Sequence, residues 1–259
     1  MRSLLALLLF SCSSLAQAFD HSHSAFNALL AEHVSWNPKQ TATKVDYAGL
    51  RKERAALKSY RDLLSAVSED EFAEWSREQR LAFLINAYNA HTLELILSAA
   101  QLPASIKDLG SFIRGPWKQA FFSLLGDERN LDEVEHSLIR GNPELADPRI
   151  HFAVNCAAIG CPALRPQAYV ATELDTQLED QLTRFLSDRT RNRMNADGVL
   201  EVSKIFDWYK EDFGSLGFYL SRRADALGLD GAARDRLANA KVEIEFLAYD
   251  WALNNQFGE

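Results

Sequence analysis

The sequence predicts an α+β fold, predominantly helical with a few short strands in a small antiparallel or mixed sheet. Three observations predict it. Apolar residues at helical spacing fill the N-terminal half, helix caps and turn residues punctuate the chain at short intervals, and the few strand-like stretches do not alternate regularly with the helices. Regular alternation would mark a doubly wound sheet, and its absence favours α+β.

The elements follow in order. Residues 22–34 read as a short helix, and Asp46 caps another through Leu57. Ser68 with Glu71 forms a capping box for a brief helix ending near Trp75. Ser76 with Gln79 forms a second box, which opens the longest helix, 77 to about 100, stopped by Pro103. Its Leu81, Leu84, Ile85, Tyr88, Leu95 and Ile96 keep helical spacing. The aromatic run 117–125 followed by Gly126 predicts a small hairpin or bent strand. Asn130 and Glu133 box a helix that runs to Arg140 and ends at Gly141. Residues 149–156 read as a strand after Asp147-Pro148. Thr172 is the expected cap of an amphipathic helix carrying Leu174, Leu178, Leu182, Phe185 and Leu186. Ala196-Asp197-Gly198 turns a hairpin. Ser203 caps a helix 204–213 that Gly214 ends, and two short helices follow. Val242, Ile244 and Phe246 alternate with glutamates as a half-buried strand.

Residues 1–18 have the layout of a cleavable secretion signal: Arg2, an apolar run from Leu4 to Phe10, and Ala16-Gln17-Ala18 for the peptidase. The run is too short to span a bilayer, which needs about 20 apolar residues, so no integral membrane segment is expected after cleavage. The expectation is a periplasmic or secreted protein, 19–259, folded as a single globular domain. Lipidation at Cys12 is the minor alternative, because Phe10 fits a lipid-attachment box badly. Loss of Arg2 takes the formal charge from −8 to −9. An acidic chain without Lys/Arg blocks argues against nucleic acid as partner, and leaves an unidentified small molecule or peptide. The basic run 189–193 reads as a solvated helix end.

Chemistry concentrates between Glu135 and Cys161, which hold His136, His151, Cys156 and Cys161. Three readings compete. Cys156 and Cys161, five apart around Gly160, form a disulfide suited to an oxidising compartment. Alternatively Cys156 is a nucleophilic thiolate whose pKa a histidine lowers. On a regular strand His151 and Asn155 share the face opposite Cys156, so His136, beside Glu135, is the better base, a choice that a bulge near Asn155 would reverse. Third, the two histidines and two cysteines hold zinc, whose ligand types suit but whose spacings match no established motif. No cofactor is predicted from the pattern otherwise.

Asn86 and Asn89 stand three apart inside an apolar helix. Buried amides must find partners, so they either brace a neighbouring segment or donate into a pocket. His91 reads as an exposed or satisfied helical histidine rather than a ligand. Asp250 and Asn254 either orient a histidine as in a triad or cap a turn. Tyr47 and the aromatic stretch 205–213 read as core and lid packing. No glycine-rich phosphate loop and no G-x-S-x-G elbow occurs.

Five motifs in order, FLINAYNAHTLELIL, LDEVEHSLIR, DPRIHFAVNCAAIGCPAL, SKIFDWYKEDF and FLAYDWALN, make the chain from about 45 to 254 resemble the DUF547 family, a domain of unknown function. The resemblance implies no settled activity. It does select positions: Asn86, Tyr88, Asn89, Glu135, His136, His151, Asn155, Cys156, Cys161, Pro162 and Asp250. The leading expectation is a thiol-containing pocket enzyme, hydrolase or transferase. Cys156 is its nucleophile, His136 its base, Glu135 or Asp250 the orienting acid, and Asn86 or Asn89 a polar stabiliser. The alternative is a non-catalytic binding or scaffold domain with a structural Cys156–Cys161 disulfide, and the third is a zinc protein.

Overall fold

The longest helix is buried on every face, and the fold is arranged around it. The computed structural model describes residues 18–110 and 114–256. The expected signal through Gln17, with Cys12, lies outside the described residues.

Helix α1 (Ser24–His33) leads into a hairpin of β1 (Val34–Trp36) and β2 (Thr43–Val45) that the sequence pattern did not reveal. Asp46 caps α2 (Tyr47–Lys52) by accepting from the Gly49 N–H at 2.8 Å. The single helix expected here breaks at Glu53, and α3 (Arg54–Ala66) starts anew. At 100° per residue Leu57 would point some 80° away from Tyr47. With the break, Tyr47 and Leu50 before it and Leu57, Tyr60 and Leu64 after it are all buried in one hydrophobic cluster.

Ser68 caps α4 (Glu69–Ala73) by accepting the Glu71 N–H, only one half of the expected box, while the Ser76–Gln79 box opens α5 (Arg77–Ser98) in full. Every residue of α5 from Leu81 to Leu97 is buried, the mark of a helix surrounded by protein. Helix α3 and the segments that follow pack on it, and α1 packs on α3, forming the larger hydrophobic cluster.

Strands β3 (Phe122–Leu124) and β4 (Asp127–Arg129) form the expected hairpin. Its turn residues Leu125 and Gly126 both take positive φ, 54° and 82°, the conformation of a type I′ turn. The Asn130–Glu133 box forms in both directions. The helix it opens, Glu133–Arg140, is a π-helix. Gly141 closes it with an N–H to the His136 carbonyl at 2.9 Å.

The expected strand at 149–156 does not form. Pro148–Phe152 is a 3-10 helix, started by Asp147, whose carboxylate accepts from the Arg149 N–H, with Pro148 in its first turn. A short buried apolar run carries no period that separates strand from buried helix, and here Asp-Pro nucleates a turn. Side-chain alternation therefore does not place His151 relative to Cys156.

Helix α6 (Leu174–Leu186) follows a 3-10 turn, Ala171–Glu173, that takes in Thr172, so Thr172 is not its cap. Strands β5 (Arg193–Met194) and β6 (Leu200–Val202) pair as the expected hairpin. Ser203 Oγ accepts from the Ile205 N–H, but α7 spans only Ile205–Trp208. Three short helices rather than two follow: α8 (Leu216–Ser221), α9 (Ala224–Leu227) and α10 (Gly231–Ala238). Strand β7 (Ile244–Phe246) then adds parallel to β6, completing a mixed three-stranded sheet. Phe152, Phe185, Phe206 and Phe213 centre the second hydrophobic cluster.

Candidate functional site

The two cysteines sit on a loop that is stapled from three sides. From α5, Asn89 donates to the Ala153 carbonyl at 3.0 Å and accepts the Asn155 N–H at 2.8 Å. Asn155 in turn donates to the Pro162 carbonyl at 2.7 Å and accepts the Ala157 N–H at 2.9 Å, closing the loop on itself. Ala157 is forced to φ 59°, a left-handed value that a residue with a Cβ adopts at some cost.

The chain's end then docks on the outside. Ile159 and Gly160 donate to the Ala252 and Asp250 carbonyls, and Asn254 donates back to Ala157. A Cβ on Gly160 would lie 2.9 Å from the Asp250 nitrogen, so only glycine allows this approach. Arg191 completes the frame. It donates to the carbonyls of Cys161 and Thr41 while ion-paired to Asp188. It is buried at 9 % exposure, so within the basic run the solvated reading fails at this residue.

Inside this frame Cys156 and Cys161 are free thiols, not the cross-link the sequence allowed. Their sulfurs lie 2.8 Å apart, with Cys156 donating its S–H to Cys161. The Cys161 sulfur also accepts the Cys156 backbone N–H at 2.9 Å. The Tyr249 hydroxyl lies 3.1 Å from Cys156 Sγ. These contacts divide the pair. Donating its proton to Cys161, together with burial, pushes the Cys156 thiol well up. Burial acts to raise Cys161 as well, but the hydrogen bonds from Cys156 and the nearby Arg191 charge outweigh it, and Cys161 falls below the ordinary thiol value. Cys161 is therefore the more acidic sulfur and Cys156, half-buried, the more exposed.

Neither sulfur makes a hydrogen bond to a histidine among the described residues. The imidazoles belong to a second network. His151 is 3 % exposed. Its Nε2 meets Asp212 Oδ2 at 2.6 Å, its Nδ1 stands 3.6 Å from Glu135 Oε1, and its ring stacks on Tyr209 at 3.8 Å. Arg140 grips Asp212 through two nitrogens at 2.6 and 2.9 Å and donates to His136 Nδ1 at 2.8 Å. Arginine has no acceptor, so His136 accepts at Nδ1 and, when neutral, carries its proton on Nε2. His151 and Arg140 hold the Asp212 carboxyl far below the usual carboxylate range. Burial works to raise Glu135, but His151, His136 and Tyr209 overcome it and leave the carboxyl lowered.

Thiols and network line one cavity of about 240 Å³. Glu135, His136, His151, Cys156 and Cys161 all contribute, with Pro162, Tyr88 and Asp132. Aromatic rings supply most of the rest: Trp117, Trp208, Tyr209, Tyr249 and Trp251. Trp208 remains 44 % exposed.

The other expected residues go elsewhere. Asn86 clasps the Tyr169 backbone at 2.7 and 3.0 Å, so it and Asn89 are braces, not pocket donors. Asp250 is exposed and its carboxylate accepts the Ala252 N–H at 2.9 Å, the turn cap. Asn254 accepts from the buried Tyr47 hydroxyl. The acid on a histidine is Asp212, which sequence reasoning left within the lid stretch, and Arg140 was missed with it. His136, His151, Cys156 and Cys161 do not assemble as zinc ligands. Among the described residues the one trio of such atoms within 4.8 Å is Glu32, His33 and Glu53.

Fold and site together define a helix-rich α+β protein with a paired-thiol cavity beside a part-buried Asp–His network. A family model described as protein of unknown function, DUF547, matches residues 72–186. The chain is similar to that family over this segment, which carries the asparagines, both cavity histidines and both cysteines but not Tyr209, Asp212, Tyr249 or Asp250. No curated protein and no solved structure matches the chain. No described helix is long and apolar enough to cross a membrane.

Proposed function

We propose that the protein is a thiol-dependent hydrolase or transferase of an exported compartment, with Cys161 rather than Cys156 as the primary thiolate. One observation carries the reading: at the cavity wall Cys161 Sγ accepts both the S–H and the N–H of Cys156. Two donors stabilise the thiolate form, the form that attacks carbon or sulfur. A thiolate prepared in this way needs no histidine base. His136, with its proton on Nε2, is then placed to protonate a leaving group, while Asp212 and Arg140 fix the imidazoles. The 2.8 Å sulfur separation supports a second reading, dithiol–disulfide exchange, in which Cys156 resolves a mixed disulfide on Cys161.

Export rests on the signal-like residues 1–18, and membership of the DUF547 family beyond 72–186 on the flanking motifs. A scaffold role remains the non-catalytic alternative.

The test is labelling of the full mature chain by an iodoacetamide probe, with the modified residue identified by mass spectrometry. Fast labelling at Cys161 that survives Cys156→Ala and is lost in Cys161→Ala supports the proposal. Equal, slow labelling of both cysteines at the rate of an unperturbed thiol contradicts it. Release of product from acyl-ester or disulfide probes then separates the two readings.

A further inference from the structure

Outside the lining of the thiol cavity, Glu32, His33 and Glu53 bring three ligand atoms within 4.8 Å of one another. Glu32 and His33 end α1, and Glu53 is the break between α2 and α3. His33 is only 6 % exposed, and its Nε2 is buried without a hydrogen-bond partner. A buried polar atom left in that state is unfavourable and calls for a partner. The acid facing it, Glu53 Oε1, stands at 3.5 Å, too far for a good hydrogen bond. That separation does match the edge of a zinc tetrahedron: two ligands each about 2.0–2.1 Å from the metal lie roughly 3.3–3.4 Å apart.

We propose that Glu32, His33 and Glu53 form a site for a divalent cation of the zinc class, with water completing the tetrahedron. Two further features fit. The imidazole is held from behind: a Cβ on Gly49 would lie 2.8 Å from His33 Nδ1, so α2 packs against that edge and leaves Nε2 facing the carboxylates. The site also lies at the C-terminal end of α1, the negative end of the helix dipole, which favours a cation. Among the described residues neither glutamate has a Lys or Arg ion-pair partner, and Glu53 pairs with His33 alone. An imidazole with two carboxylates suits zinc and its neighbours better than calcium or magnesium, which take oxygen shells. Bound there, the ion ties α1 to the α2–α3 junction.

The experiment is calorimetric titration of chelator-stripped full-length protein with Zn²⁺. Glu32→Gln and Glu53→Gln alter side chains at the surface and leave the core untouched. His33→Ala is a third variant, read only if its circular dichroism is native. Cys156→Ala/Cys161→Ala separates this site from zinc capture by the thiols. One zinc that persists in the cysteine variant, and that each Gln substitution weakens by at least the roughly 10–100-fold seen for outer-shell partners, is the expected result. No heat in the wild type, affinity that survives both Gln variants, or affinity lost with the cysteines overturns the proposal.

Discussion

Two imidazoles are sealed in this protein to nearly the same degree and stand in opposite surroundings. His91, on α5, is fully buried, stacks on Phe122 at 3.6 Å, and accepts the Arg61 Nε–H at 3.0 Å. Burial and the Arg61 charge push its pKa well down, so it is a neutral brace. His151 is as well stacked, on Tyr209, but faces Asp212 and Glu135, with Arg140 behind. Equal burial and equal stacking thus yield an inert packing group in one region and a charged network at a cavity wall in the other. The sign of the nearest charges, not burial, separates structural from chemical histidines here.

The contrast is most strongly tested at Asp212. Replacing Asp212 by Ala strands both Arg140 and His151 Nε2. Breaking a buried pair costs about 3–5 kcal/mol, and Asp212 is a quarter exposed, so a loss near 3 kcal/mol is expected in urea denaturation. A loss below 1 kcal/mol would mean that the network does not hold the cavity wall.

Asn89→Ala should follow, at about 2 kcal/mol, because it leaves the buried Asn155 N–H and Ala153 carbonyl unpaired. It should also loosen the thiol loop, read as faster alkylation of Cys156. Asn86→Ala, which frees only the Tyr169 backbone, should destabilise without that change in labelling.

The smallest effect concerns pH. His91 has its folded pKa below its unfolded one, so the unfolded chain binds the proton more readily. Its contribution to stability is complete above about pH 6.5 and is lost as pH falls, by up to about 1.4 kcal/mol per pH unit. His23, pushed down to about 4 by burial, acts with the same sign. His91→Leu should therefore reduce, not abolish, the slope of stability between pH 6.5 and 5 in denaturation curves. An unchanged slope would show that His91 does not titrate on unfolding.

Much of this was legible in the sequence, where local chemistry decides structure. The Ser76–Gln79 and Asn130–Glu133 boxes form as their spacing demands, the Asn195–Val199 hairpin closes, and the two helix asparagines find backbone partners because an apolar helix gives buried amides no other outlet. Cys156, Cys161, His136 and His151 do line one cavity. What failed depended on long-range partners. Asp212 is an ordinary acid on an amphipathic segment until Arg140 and His151, some 60–70 residues away, reach it. The 149–156 run lacks a period, so the strand reading and the orientation of His151 built on it had no physical support. The FLAYDWALN segment contributes through Tyr249 and Trp251 at the cavity, through Asn254 on Tyr47 and through its backbone, and a pattern of side chains conceals the backbone contacts.

The central claim is that the sulfur at 161 ionises first, with Cys156 retaining the shared proton. Thiolate absorbance near 240 nm, followed against pH in the reduced protein, reads this directly. One thiolate forming below the ordinary thiol range of about 8.5 is predicted, absent in Cys161→Ala and still present, shifted modestly upward, in Cys156→Ala. A low-pH thiolate that persists without Cys161, or none in the wild type, would contradict it.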